Sequence, residues 1–119
     1  MKKLLVLLCI FLLSACDVPS DKLVTRYSTV YEVNSQIPFT GVATGYYENG
    51  QLKGKGNYKD GELNGLLEMY HENGQLEEKV NYKYGERHGL SKSYQENGQV
   101  KYSPVCYQNG NRVDMSKCK

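Results

Sequence analysis

The phrase Glu-Asn-Gly-Gln occurs three times, at Glu48–Gln51, Glu72–Gln75 and Glu96–Gln99, each copy 24 residues after the last. A chain that spells one turn at a fixed interval must return to the same local geometry each time, which marks a repeat architecture. A second kind of turn lies between the copies, in Lys59-Asp60-Gly61-Glu62 and Lys83-Tyr84-Gly85-Glu86; a third version, Gln108-Asn109-Gly110-Asn111, arrives one residue late. The turn-setting glycines Gly50, Gly61, Gly74, Gly85, Gly98 and Gly110 thus fall alternately about 11 and 13 residues apart. Short strands at that spacing predict an all-β antiparallel meander of repeated hairpins. Helix is disfavoured, because each interior Gly would cost it up to about 1 kcal/mol.

Tyr46, Tyr58, Tyr70, Tyr82 and Tyr94 recur every twelve residues, each at a strand end. Twelve is even, so loops with an odd number of residues, such as three with a Gly bulge, would stand all five rings on one face of a single-layer sheet. Even positions also carry Leu52, Leu66, Leu76, Val80, Leu90 and Val100, whereas odd positions are mostly polar. Leu63, Leu67 and Met69 break that rule within one strand. The five tyrosines are the candidate binding face. Packing between strands is the competing role for them, since a single sheet must cover its apolar side. The spare chain for that cover is Asp17 to Asn34 and Val113 to Lys119.

Residues Thr40-Gly41, Tyr46 to Leu52, Tyr58 to Gly61, Gly65-Leu66, Tyr70 to Leu76, Tyr82 to Gly85, Gly89-Leu90 and Tyr94 to Val100 together resemble the MORN (membrane occupation and recognition nexus) repeat variant family, over about Val30 to Asp114. The resemblance implies a long β-meander and a role in scaffolding, dimerisation or lipid binding. Bacterial members are often labelled antitoxins of the YwqK type. In the last unit Tyr102, Pro104 and Cys106 replace the usual strand, and Pro suits an edge strand that ends the sheet.

The N-terminus is of another kind. Lys2 and Lys3 precede ten apolar residues, Leu4 through Leu13. At about 1.5 Å per residue such a helix is half a bilayer core long, which suits a secretory signal rather than a span. Leu13-Ser14-Ala15-Cys16 resembles the lipobox of bacterial lipoproteins, in which the Cys is acylated and becomes the first mature residue. The expected organisation is a signal peptide over 1–15, a lipidated tether over 16–22 and a repeat domain over 23–119, with one strand across Lys22 to Asn34. Asp17 resembles the signal that retains such proteins at the inner membrane, with the chain on its extracytoplasmic side. Outer-membrane placement is the alternative.

Losing Lys2 and Lys3 leaves thirteen basic and thirteen acidic residues. That balance argues against nucleic acid and against polybasic attraction to anionic lipid. Cys9 leaves with the signal peptide and Cys16 with the lipid, so Cys106 and Cys118 remain; in an exported chain they are expected to form a disulfide, two free thiols being the alternative. A zinc site would need two more ligands nearby at suitable spacing, and none is present. His71 and His88 lie beside no nucleophile motif, and Gly54-Lys55-Gly56 is too short for a phosphate loop. No metal, cofactor or catalytic residue is therefore expected. The expected function is a non-enzymatic, membrane-anchored lipoprotein that presents its sheet to a protein partner. An antitoxin or immunity protein, or a binder of envelope glycans, is the alternative.

Overall fold

Asp60-Gly61, Tyr84-Gly85 and Asn109-Gly110 each close a hairpin with two residues, both at positive φ: 50° for Asp60, Tyr84 and Asn109, and 82°, 78° and 81° for the glycines. Paired positive φ matches the twist of the flanking strands. The computed structural model describes residues 17–119; the signal segment and Cys16 lie outside them. The strands are β1 (Asp17–Pro19), β2 (Leu23–Arg26), β3 (Thr29–Glu32), β4 (Gly41–Tyr46), β5 (Leu52–Lys59), β6 (Glu62–Tyr70), β7 (Leu76–Lys83), β8 (Glu86–Tyr94), β9 (Val100–Gln108) and β10 (Asn111–Val113). Strands β4 to β10 form a continuous antiparallel meander, with β1 parallel to β4 at its edge, and β2 and β3 make a separate hairpin. Single-turn 3-10 helices occupy Ser20–Lys22 and Met115–Cys118.

The three Glu-Asn-Gly-Gln loops are five residues long between paired strand ends, as in Tyr46↔Leu52 and Tyr70↔Leu76. Gly50, Gly74 and Gly98 take φ of 87°, 89° and 87° there. The loops also stack on one another. Tyr47 donates its hydroxyl to the Tyr70 carbonyl at 2.6 Å, and His71 Nε2 lies 2.9 Å from the Tyr94 carbonyl. The amides of Asn49 and Asn73 donate to the Glu72 and Glu96 carbonyls. At the opposite end, Gly85 N donates to the Leu63 carbonyl and Gly110 N to the Arg87 carbonyl, both at 2.9 Å. Repetition of the phrase therefore lets each turn satisfy polar groups of the next.

The two-residue loops overturn the one-face register expected for the tyrosines. Residues facing each other across such a loop differ in parity, so even positions of β5 and β7 share a face with odd positions of β6 and β8. The pairs Tyr58↔Leu63 and Tyr82↔Arg87 show it; across the five-residue loop of β6 and β7 the register shift between Met69 and Tyr70 has the same effect, giving Leu67↔Val80 and Gly65↔Tyr82. Leu63, Leu67 and Met69 are thus not exceptions; they stand opposite Tyr58, Val80 and Glu78 on that face. Tyr46, Tyr70 and Tyr94 belong to the opposite face.

Packing on the Val80 face is closest where small residues let larger ones meet. Gly54 lies against Met69, and Gly56 against Leu63 and Leu67. On this face Val80 is fully buried and Phe39 is 4% exposed, while Cys106, opposite Leu90 on the other face, is 1% exposed. Phe39 sits against Tyr58, ring centroids 5.7 Å apart. Both ends of the repeat stack are covered, as repeat arrays require. At the first, Val30 N donates to the Gly61 carbonyl, and Phe39 N to the Val30 carbonyl. At the last, the Cys106–Cys118 disulfide ties the Met115–Cys118 helix to β9.

Two further expectations are corrected. The tether over 16–22 is ordered from Asp17 onward: Asp17, Val18 and Pro19 pair with Val42, Ala43 and Thr44. The single strand over Lys22 to Asn34 is instead the β2–β3 hairpin, reversed at Tyr27-Ser28 with φ of 50° and 68°. In both cases the partner backbone, rather than the local alternation, decides where the chain turns.

Candidate interaction surface

Strand β9 leaves part of its outer edge open. Strand β10 pairs with Cys106, Tyr107 and Gln108 alone, while Val100 to Val105 pair with β8 on one side and with no strand among the described residues on the other. Val100 is 58% exposed and Tyr102 63%. Beside this edge, on the Val80 face, lies a groove of about 410 Å³ lined by residues that include Glu78, Arg87, Ser91, Tyr102, Tyr107 and Arg112. Its floor is low because β8 presents Gly89, Ser91 and Ser93 there, opposite Tyr107, Val105 and Tyr102.

Arg87 organises the groove. Its Nη2 is 3.4 Å from Glu78 Oε1, and its guanidinium lies 5.3 Å over the Tyr107 ring. The Tyr82 hydroxyl is the largest of several causes, Glu78 among them, that push the Arg87 pKa above its usual value, so the charge is permanent. Arg112 has no acidic partner within ion-pair distance among the described residues. The groove thus holds a braced cation, a second cation without a carboxylate, and aromatic faces. Such a set can engage a carboxylate and an apolar side chain together.

The tyrosines singled out by periodicity are not brought together. Burial raises the pKa of Tyr58, with Tyr82 adding to it, as expected of rings packed within the sheet. Tyr70 is raised by burial and then by the carboxylate of Glu68, its neighbour on the opposite face. Tyr46 is 59% exposed. Periodicity missed Tyr107, and the signal was present: its turn comes one residue late, so the rung after Tyr58 and Tyr82 is Tyr107 rather than Cys106. His71 and His88 sit at opposite ends of the sheet. His71 is engaged by the Tyr94 carbonyl.

A family model described as MORN repeat variant matches residues 39–60, 63–84 and 87–103. The chain belongs to the MORN repeat variant family. Each matched segment of this MORN protein spans a hairpin built across a Glu-Asn-Gly-Gln loop, β4–β5, β6–β7 and most of β8–β9. Three stacked MORN units make it a repeat module for interaction with protein or membrane. No curated protein and no solved structure matches the chain.

Proposed function

We propose that this MORN protein is a lipoprotein, anchored through Cys16 on the extracytoplasmic side of a bacterial membrane, that binds a protein partner without catalysis. The partner offers an extended segment that adds a strand to β9 and places an acidic side chain near Arg112. The observation that carries the reading is the open stretch from Val100 to Val105 beside the groove. An unpaired edge supplies main-chain hydrogen bonds, and a groove alongside selects alternate side chains. Lys101 and Pro104 on that edge restrain indiscriminate pairing, as natural edge strands do.

The anchor is tested first. Cys16→Ser abolishes metabolic labelling with a fatty acid and releases the protein from the membrane fraction; equal labelling of the variant removes lipidation from the reading. The surface is tested by a photocrosslinking side chain at Tyr102 in growing cells, compared with one at Lys55 on the opposite face. A discrete protein adduct from Tyr102 alone is expected. Equal adducts from both sites would reject β9 as the site. An adduct that disappears on digestion of the cell wall would turn the reading to glycan binding.

A further inference from the structure

The chain enters the sheet at a defined end. Strand β1 runs parallel to β4 with Asp17 opposite Val42, and Gly41 opposes Tyr58, so Asp17 lies toward the end where the two-residue turns are. The tip of the β2–β3 hairpin lies there too, since Ser28 lines one hollow with Gly61, Tyr84 and Gly85. Cys16 is the residue before Asp17, and one residue spans at most about 3.6 Å. With an acyl chain on Cys16, this end of the sheet has no tether to hold it away from the bilayer.

What projects from that end is unusual for tight turns. Tyr27 is fully exposed and Tyr84 is 71% exposed. Both hold φ of 50°, at the position that Asp60 and Asn109 fill in the equivalent turns. Asn and Asp tolerate this conformation through local hydrogen bonds, whereas a Tyr has no such compensation. Two strained, exposed rings at one end therefore point to a use for the rings. The amphipathic ring of Tyr suits the boundary between lipid headgroups and acyl chains.

We infer that the end of the sheet bearing Tyr27 and Tyr84 rests on the phospholipid interface, so that the strands stand away from the membrane. This orientation rests on the lipid-anchor reading. Beside the turns of that end Lys59 and Lys83 are met by Asp60, Glu62 and Glu86, so contact comes from the rings rather than from attraction to anionic headgroups. The Glu-Asn-Gly-Gln loops then lie about 30 Å from the lipid, one strand length away. The open edge of β9 is left upright and accessible from water.

The chain contains no tryptophan, so a single introduced one reports without background. Tyr84→Trp and, at the far end, Glu48→Trp are expressed as the full chain, purified from the host membrane and reconstituted in vesicles of phosphatidylethanolamine and phosphatidylglycerol with brominated acyl chains. The Tyr84→Trp reporter is expected to shift to the blue and be quenched by the bromolipid, unchanged in high salt. The Glu48→Trp reporter is expected to keep its emission in water. Equal quenching of the two, or stronger quenching of Glu48→Trp, overturns the orientation, and loss of the Tyr84→Trp effect in high salt overturns the role of the rings. Intact mass of the same preparation separates the two readings. Acylated protein with equal quenching sinks the orientation alone, whereas a mass without acyl chains sinks the anchor and the orientation with it.

Discussion

Gly61→Val is expected to cost about 4–5 kcal/mol, at the top of the range for single substitutions and comparable to the whole stability of a marginal domain, about 5–10 kcal/mol. Two effects combine. Gly61 holds φ of +82°, which carries a strain of about 1–3 kcal/mol for a side chain. Its Cβ would also overlap the Thr29 methyl and lie 3.0 Å from Val30 O and 3.1 Å from Val30 N. Backbone cannot swing aside as a flexible side chain can. The β2–β3 hairpin would have to lift, breaking the bond from Val30 N to the Gly61 carbonyl. Gly50 is the control. It has φ of +87° but nothing within 4 Å of its Cβ, so Gly50→Val carries the strain alone. Urea melts of both variants decide the matter; a Gly61→Val loss no larger than that of Gly50→Val would mean that the hairpin does not clamp the turn.

Breaking the Cys106–Cys118 bridge comes next in size. The two residues are 12 apart in sequence, and closing a loop of that length stabilises by about 3 kcal/mol. Cys118→Ser should lose that amount. Cys106→Ser should lose more, because Cys106 is 1% exposed and a buried hydroxyl without a partner adds about 1–3 kcal/mol. The loss should concentrate in β9 and β10, where the bridge holds the C-terminal helix, and hydrogen exchange would locate it. Equal melting of both variants and the parent would show that the cover contributes nothing to the stack.

The strands, the turns and the repeat were legible in the sequence because turn chemistry is local. A turn glycine takes positive φ at no steric cost whatever lies far away in the chain, and Gly50, Gly61, Gly74, Gly85, Gly98 and Gly110 all do so. The pairing of Cys106 with Cys118 was legible by elimination of the other two cysteines, and the bridge is present. Pro104 announced an edge strand that ends the sheet; Val100 to Val105 do have an open edge, but β9 is a full strand and the sheet ends one strand later, at β10. The groove was not legible, because Arg87, Tyr107 and Arg112 come from β8, β9 and β10 and a late turn hides their alignment.

By itself the sequence determined an antiparallel meander, its turn positions and the membership that its repeat carries. Tertiary structure alone decided which side of the sheet each ring occupies. Side chains alternate with a period of two, so a loop closed with two residues instead of three, or a bulge beside a five-residue loop as at Gly45/Tyr46 and Met69/Tyr70, sends the following residues to the other face. That choice is made by hydrogen bonds across the hairpin, and composition does not record it. It likewise decided that Asp17–Pro19 joins the sheet beside β4 rather than trailing as a tether, because a parallel pairing depends on backbone groups of a strand more than twenty residues away. The same non-local contacts set Tyr27 and Tyr84 at the end where the chain enters, a proximity that the linear order of residues does not contain.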